Sequence, residues 1–351
     1  MTDFSKIDFD KVVETRNIDL FHNNVFQIHW IPGRYCNYNC SYCWPDSHSL
    51  KRDEYRDESF FMKAIENVVN VGKQRGFKNN RLTLAGGEPT VHPHFLAIVE
   101  KYGSLREADS VSNLIIVTNL SRSYAWFKKF VDVCSNLNSV SVVASWHREY
   151  ANIDEFAEKA LFLQENNINV DINVTFAVQH FENYYKESLY LQNKGLTVKA
   201  LPQRFTNSRE YTEEELNILK TEFKYSSDRK PKLINPYPES YISTDKINKD
   251  RYTMELVSED GSKQYVDYAE RYPSLGFKNF NSWVCYSGFQ NLCIDEFGDL
   301  RRGKAGCSDI VIGNIFTGPY GYDSPIPCPM ELCDAATDSV TRKIKVCYNK
   351  S

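Results

Sequence analysis

Three cysteines stand within the eight residues CNYNCSYC, from Cys36 to Cys43. Thiolates are soft ligands for zinc or iron-sulfur clusters, and Cys36, Cys40 and Cys43 are close enough on one loop to meet a single metal centre. Structural zinc takes four protein ligands, and His48 could complete that set. Three thiolates can instead hold three irons of a 4Fe-4S cube and leave the fourth to a small molecule, which makes a structural device reactive.

Other residues of chemical type cluster in short stretches. In LTLAGGEPTVHPHF, Gly86-Gly87 lets the backbone turn sharply and approach a ligand, and Glu88 offers a carboxylate just before Pro89. VTNLS and VASWH place Thr118, Asn119, Ser145 and His147 where apolar runs end. Asn173 shares a strand face with Asp171 and Thr175 by period two. His92 and His94 flank Pro93, but i and i+2 positions do not share a helix face, so capping or surface roles are expected. Cys134, near Phe127, Phe130 and Val131, is expected to be a small core residue.

The remaining six of the ten cysteines fall in the last 70 residues: Cys285, Cys293, Cys307, Cys328, Cys333 and Cys347. A turn at Phe297-Gly298-Asp299 can bring Cys285 and Cys307 together, and CPMELC adds Cys328 and Cys333. Four thiolates would fill the protein-ligand sites of a closed cluster, or of a structural zinc site. Cys347 could substitute as a ligand. Cys293, between Leu292 and Ile294, is either a buried core thiol or a chemically active one.

The positioning elements follow from hydrophobic rhythm. VFQIHW (25 to 30), LTLA (82 to 85), LIIVT (114 to 118), VSVVA (140 to 144), VDINVTF (170 to 176) and TVKAL (197 to 201) read as six strands. Amphipathic stretches lie between them, such as Phe61, Ile65, Val68 and Val69, and NIDEFAEKALFLQ with Asp154 near a helix start. The alternation predicts parallel strands with right-handed crossovers, an incompletely closed barrel or an open sheet, with binding chemistry at the carboxyl ends. From about 205 to 280 the rhythm breaks: YTEEELNILKTEF reads as a helix, DRKPKLINPYPES as a loop, and YTMELVSEDGSKQYVDY as a hairpin turning at Asp260-Gly261.

Hydrophobic content of 42% with 25% charged residues describes a globular chain, and a net charge of -4 without a Lys/Arg block argues against nucleic acid. The opening MTDFSKIDFDKVVETRNIDLF lacks a signal-peptide core, and nowhere is there an 18-residue apolar run, so a cytoplasmic protein off the membrane is expected. In that reducing setting the cysteines point to metal or redox chemistry.

C-x3-C-x2-C after a first strand resembles the signature of the radical S-adenosylmethionine (radical SAM) superfamily, with Tyr42 at its aromatic position. The resemblance implies a partial (β/α)6 TIM-like barrel in which the open iron chelates the amino and carboxylate groups of S-adenosylmethionine. One electron then cleaves the sulfonium to a 5'-deoxyadenosyl radical, with the cofactor carrying the hard chemistry. It further implies that Gly86, Gly87, Glu88 and Pro89 receive the methionine ammonium group, and that Asn119 and Ser145 contact ribose and carboxylate. Thr118, His147, Asn173 and Leu201 complete the expected cofactor face.

The tail resembles a twitch or SPASM domain, a small α+β unit holding one auxiliary 4Fe-4S cluster on Cys285, Cys307, Cys328 and Cys333; a full SPASM pattern has more ligand cysteines and a tighter closing run. The expected division is an N-terminal extension (1–24), barrel (25–205), connecting region (206–280) and auxiliary domain (281–351). The implied activity is hydrogen-atom abstraction, with electrons from a flavodoxin or ferredoxin reductase. A peptide substrate (crosslink, oxidation or epimerisation) is favoured by its frequency among relatives and by the hairpin edge. A small polar metabolite such as an amino sugar or nucleotide is the alternative, because about 24 residues precede the first strand. A non-catalytic electron carrier is the reading from another class.

Overall fold

A computed structural model describes residues 8–43, 55–203, 209–223, 232–240, 254–266, 279–281, 283–302, 310–330, 333 and 340–346. His48, Cys307 and Cys347 lie outside these described residues.

The chain begins with β1 (Val12–Asn17) and the short α1 (Ile18–His22). Alternation follows: β2 (Val25–Trp30), α2 (Glu58–Gln74), β3 (Asn79–Leu84), α3 (Phe95–Ser104), β4 (Ser112–Thr118), α4 (Tyr124–Val133), β5 (Ser139–Trp146), α5 (Ile153–Glu165), β6 (Asn169–Phe176), α6 (Phe181–Asn193), β7 (Thr197–Pro202) and α7 (Glu213–Thr221). All six expected strands are present, and β2 has the expected bounds. Beyond them lie β8 (Met254–Ser258), β9 (Lys263–Val266), β10 (Trp283–Cys285), β11 (Asn291–Ile294), β12 (Asp299–Arg301), β13 (Val311–Asn314), β14 (Ile326–Pro327) and β15 (Lys343–Lys345).

Local chemistry explains the boundaries. Asn152 caps α5 through hydrogen bonds from Asp154 and Glu155 N–H, with Asp154 in the first turn. Thr212 and Glu215 form a reciprocal capping box on α7. The β8–β9 hairpin turns where expected, with Gly261 at a φ of 79°. On α2, Phe61, Ile65, Val68 and Val69 are all buried against the sheet. Cys134 is fully buried in the same core, as its apolar neighbours suggested.

Strands β2 to β7 are parallel neighbours in sequence order, within an open nine-stranded sheet ordered β13-β12-β11-β2-β3-β4-β5-β6-β7. β11 adds parallel to β2, followed by antiparallel β12 and β13. Burial along β6 alternates: Val170, Ile172, Val174 and Phe176 are fully buried among the helices, while Asp171, Asn173 and Thr175 face the other side, half-buried.

A second, six-stranded sheet runs β14-β10-β15-β1-β8-β9 and packs Val12, Met254, Leu256, Val266, Phe280 and Trp283 into its own core. Here the structure departs from the expected divisions. β1, assigned to an extension, is an inner strand paired with both β8 and β15. The 281–351 segment is shared out, with β11 to β13 in the large sheet and β10, β14 and β15 in the small one. Its described residues that lie in regular elements are all in strands. The reason is long-range pairing: Thr15 lies opposite Lys343, and Arg16 opposite Glu255 with Nε to Oε2 at 2.5 Å.

Candidate metal and cofactor site

The cysteine loop leaves the carboxyl end of β2. Cys40 is buried, Cys36 half-buried and Cys43 exposed, and Cys43 N–H donates to Cys40 O at 3.1 Å, closing a turn between the last two thiols. Burial pushes the Cys36 thiol up to about 11, and Cys36 also feels the charges of Glu88 and Cys43. Burial pushes Cys40 up to about 12, with Glu149, Cys36 and Cys43 adding to the shift. The three sulfurs therefore share one electrostatic neighbourhood, one that a bound cation would relieve. No set of three or more His, Cys, Asp or Glu side chains among the described residues forms a preassembled metal cage. The fit to an iron-sulfur cluster rests on three soft donors on one loop that ends exposed.

The glycines have a sharper role than the sequence suggested. A Cβ on Gly87 would collide with the carbonyl oxygens of Arg34 and Tyr35, and one on Gly86, at a φ of 141°, with that of Gly33. Gly87 N–H and Glu88 N–H instead reach Gly33 O and Tyr35 O at 3.4 and 2.9 Å. The close approach made by Gly86-Gly87 is thus to the backbone leading into the cysteines. On the opposite flank, Arg34 Nε pairs with Glu296 Oε1 at 2.7 Å, bringing in the turn after β11.

Glu88 is buried and fixes the next junction. Its Oε1 accepts from Thr90 N–H at 3.0 Å, Thr90 Oγ1 at 2.5 Å and Thr118 Oγ1 at 2.7 Å, and its Oε2 accepts from Asn119 N–H at 2.5 Å. Burial raises its carboxyl against the pull of these bonds. Asn119 Nδ2 then donates to Asn37 Oδ1 at 3.1 Å, returning to the cysteine loop. Pro89 opens the short 3-10 turn beside Glu88 and is buried.

A clamp comes from the loop after β5. His147 Nδ1 lies 3.3 Å from Cys40 Sγ and 2.8 Å from the Tyr42 hydroxyl, and the two rings are 15° from parallel. Burial lowers the His147 imidazole to about 4, so it is neutral at neutral pH. Glu149 accepts from Ser41 N–H at 2.9 Å, and Tyr150 donates its hydroxyl to Asn39 O at 2.7 Å while stacking on Tyr38. Sequence reasoning found His147 but missed Tyr38, Glu149 and Tyr150. The only signal for Glu149 and Tyr150 was position, in HREY just after the fourth expected strand, whereas Tyr38 stands within the cysteine run CNYNCSYC itself.

Strand register carries one face across the large sheet. Cys293 pairs with His29, His29 with Thr83 and Thr83 with Ile115; two residues along β4, Val117 pairs with Val143 and Val143 with Asp171. Ser145 pairs with Asn173, Asn173 with Lys199 and Thr175 with Leu201 on the same face. Cys293 therefore points away from Leu292 and Ile294, which are in the core, and onto the face that carries the polar β6 residues.

The C-terminal thiols sit elsewhere, around the small sheet. Cys285 and Cys328 are hydrogen-bonded to each other, and Cys333 is buried in the same apolar cluster. The Cys285 thiol is held well below its usual range by the Cys328 hydrogen bond, with help from the cations Lys343 and Arg302. Lys343, directly opposite on β15, is fully buried.

His92 and His94 are a correction in part. His94 is exposed enough to pair with Glu58 at 3.1 Å, but His92 is buried. It lies against Tyr55 and Phe61, accepting from His94 N–H at 3.1 Å.

No helix among the described residues is long and apolar enough to cross a membrane. The chain is similar to the GTP 3',8-cyclase of Haemophilus influenzae, 27% identical over 154 residues, 43% of each chain. It is also similar to the GTP 3',8-cyclase of Microcystis aeruginosa, 36% identical over 84 residues, 24% of each. These matches span less than half the length of the curated relatives. Among solved structures, native anSMEcpe with bound AdoMet and Kp18Cys peptide is 14% identical and shares the fold at a TM-score of 0.52, over 83% of this chain and 78% of that one. Residues 30–146 match the Radical SAM superfamily. That match covers the cysteine loop, the GGEP turn and the strands beneath them, about a third of the chain, so in this stretch the chain is similar to radical SAM enzymes.

Proposed function

We propose that Cys36, Cys40 and Cys43 hold a 4Fe-4S cluster, that S-adenosylmethionine is taken up beside it, and that the enzyme abstracts a hydrogen atom from a small polar metabolite. The observation that carries the reading is the stitching of the cysteine loop to the carboxyl ends of three strands, through Gly86-Gly87 and Glu88, Asn119 and His147. When bound, the cluster and S-adenosylmethionine supply one-electron carbon-sulfur cleavage and hydrogen-atom abstraction. The protein orients and shields them. Gly86 to Pro89 offer backbone to the methionine end, Glu88 locks Thr118 and Asn119 in place, and Tyr42 covers the loop from the His147 side. The six parallel strands, read as a partial (β/α)6 barrel, turn Ser145, Asn173 and Leu201 toward cofactor and substrate.

The polar face of β6, with Ser145 and Lys199 beside it, supports this substrate class, and the relatives named GTP 3',8-cyclase lend it further support. Cys293 on that face is placed to donate a hydrogen atom or quench a substrate radical. Cys285, Cys307, Cys328 and Cys333, with Cys347 as a substitute, are proposed to hold an auxiliary 4Fe-4S cluster that relays the electron. The reductant is a flavodoxin or ferredoxin, in a cytoplasmic setting. A peptide substrate remains the second reading, favoured by β9, which among the described residues is an edge strand of the small sheet, the kind of strand that accepts strand addition.

The test is to reduce the anaerobically reconstituted protein, add S-adenosylmethionine and quantify 5'-deoxyadenosine, alone and with nucleotides, amino sugars or peptides. The expected result is formation that Cys40→Ala abolishes and a polar metabolite stimulates. Stimulation by peptides alone would overturn the substrate class, and no 5'-deoxyadenosine at all would leave an electron carrier.

A further inference from the structure

We propose that Tyr42 and His147 together set the reduction potential of the cluster by directing hydrogen bonds at the Cys40 sulfur. The inference rests on the reading that Cys36, Cys40 and Cys43 ligate iron. A ligating thiolate can only accept, so groups aimed at it must donate. Two are in place: the Tyr42 hydroxyl is hydrogen-bonded to Cys40 Sγ, and His147 Nδ1 stands 3.3 Å from the same sulfur. The 2.8 Å contact between His147 Nδ1 and the Tyr42 oxygen links them into one chain: in the Nδ1-protonated tautomer, which the proposal requires, the single N–H is shared between the sulfur and the hydroxyl oxygen and polarises the hydroxyl toward sulfur.

The geometry is held from several sides. Tyr42 and His147 stack at 5.9 Å, and Tyr38 meets the His147 ring edge-on at 5.8 Å. Tyr150 and Glu149 anchor the intervening backbone at Asn39 and Ser41. A side chain serving only as packing would not need its nitrogen aimed at sulfur.

Reduction adds one negative charge to a cluster and spreads part of it onto the ligand sulfurs. Donors facing a sulfur in a partly dry site stabilise that reduced state and raise the potential. His147 is a positioning residue acting through Cys40.

Three variants separate this role from packing. Tyr42→Phe keeps the ring and loses the hydroxyl, His147→Phe keeps a stacking ring and loses the N–H, and His147→Asn returns an amide N–H near the place of Nδ1. The readout is an EPR-monitored redox titration of the signal that responds to S-adenosylmethionine, beside iron and sulfide content. Both Phe variants are expected to keep wild-type iron and sulfide, with the reduced-to-oxidised ratio at fixed potential falling about tenfold, about 59 mV for a one-electron couple. His147→Asn is expected to recover much of that loss. Full iron with an unchanged potential would overturn the inference, as would loss of iron in all three variants, which marks a packing role. Wild-type protein that takes up zinc and no iron would instead sink the cluster reading beneath it.

Discussion

The two thiol groups of this molecule are built in opposite ways. Cys36, Cys40 and Cys43 lie on one loop that passes from buried to exposed, pinned by neighbouring loops at the carboxyl ends of parallel strands. Cys285, Cys328 and Cys333 are all buried, on separate segments around an antiparallel sheet, beside the buried cation Lys343. In the first group burial raises Cys36 and Cys40, and no cation is among the causes that act on them, which suits the proposal that a metal supplies the stabilising charge. In the second, protein cations and a partner thiol already lower Cys285. An exposed margin suits a ligand that comes and goes, and a closed pocket suits electron relay or structure.

The largest expected effect strikes the first group alone. Gly87→Ala forces a methyl into the Arg34 and Tyr35 carbonyls and should cut 5'-deoxyadenosine formation at least about a hundredfold, as ångström-scale misplacement does. Gly261→Ala, at positive φ but with open space around it, should cost about 1 kcal/mol of stability and leave cleavage intact. Normal cleavage by Gly87→Ala would break the comparison. In the second group, Cys285→Ala removes an acceptor beside buried Lys343 and should lower stability by about 1–3 kcal/mol in denaturant unfolding. Cys40→Ala should leave stability nearly unchanged while abolishing cleavage, and the reverse pattern would erase the distinction.

Smaller effects sharpen it. Glu88→Gln turns an amide donor toward N–H and O–H groups that need an acceptor, at a cost of about 1–2 kcal/mol by thermal unfolding; an unchanged midpoint would show that the junction is not held by that carboxylate. His92 offers a pH test outside the thiols. Burial lowers its imidazole to about 3, from an unfolded value near 6.5. Its contribution is complete above pH 6.5 and is lost as pH falls toward 3, because the unfolded chain binds the proton first. The slope from this group is at most about 1.4 kcal/mol per pH unit. His92→Asn should flatten the acid side of the stability profile measured by denaturant titration, and an unchanged profile would show that His92 does not carry it.

How legible each region was in the sequence follows from how local it is. The six strands, the cysteine loop and the GGEP turn are contiguous stretches, and the β6 polar face follows from the alternation of Asp171, Asn173 and Thr175 with apolar residues. The partners that grip the cysteine loop were harder to see because Glu149 and Tyr150 are more than 100 residues away from it. Hardest was the small sheet, whose β1 and β15 pair across the length of the chain, Glu14 opposite Ile344. Short strands of three to six residues carry too little periodicity to reveal such a partner. Gly86 and Gly87 were recognised as necessary, but their tight neighbour, the backbone of residues 33–35, emerges only when the strands are side by side.

The central claim is that the loop after β2 holds iron with one coordination position left for S-adenosylmethionine. It is tested most directly by recording the EPR spectrum of the anaerobically reconstituted, reduced protein before and after that compound is added. The expected result is a spectrum that changes with S-adenosylmethionine in the wild type and in Cys285→Ala, and not in Cys40→Ala. A reduced iron signal indifferent to S-adenosylmethionine, or a loop filled by fully ligated zinc, would contradict the account.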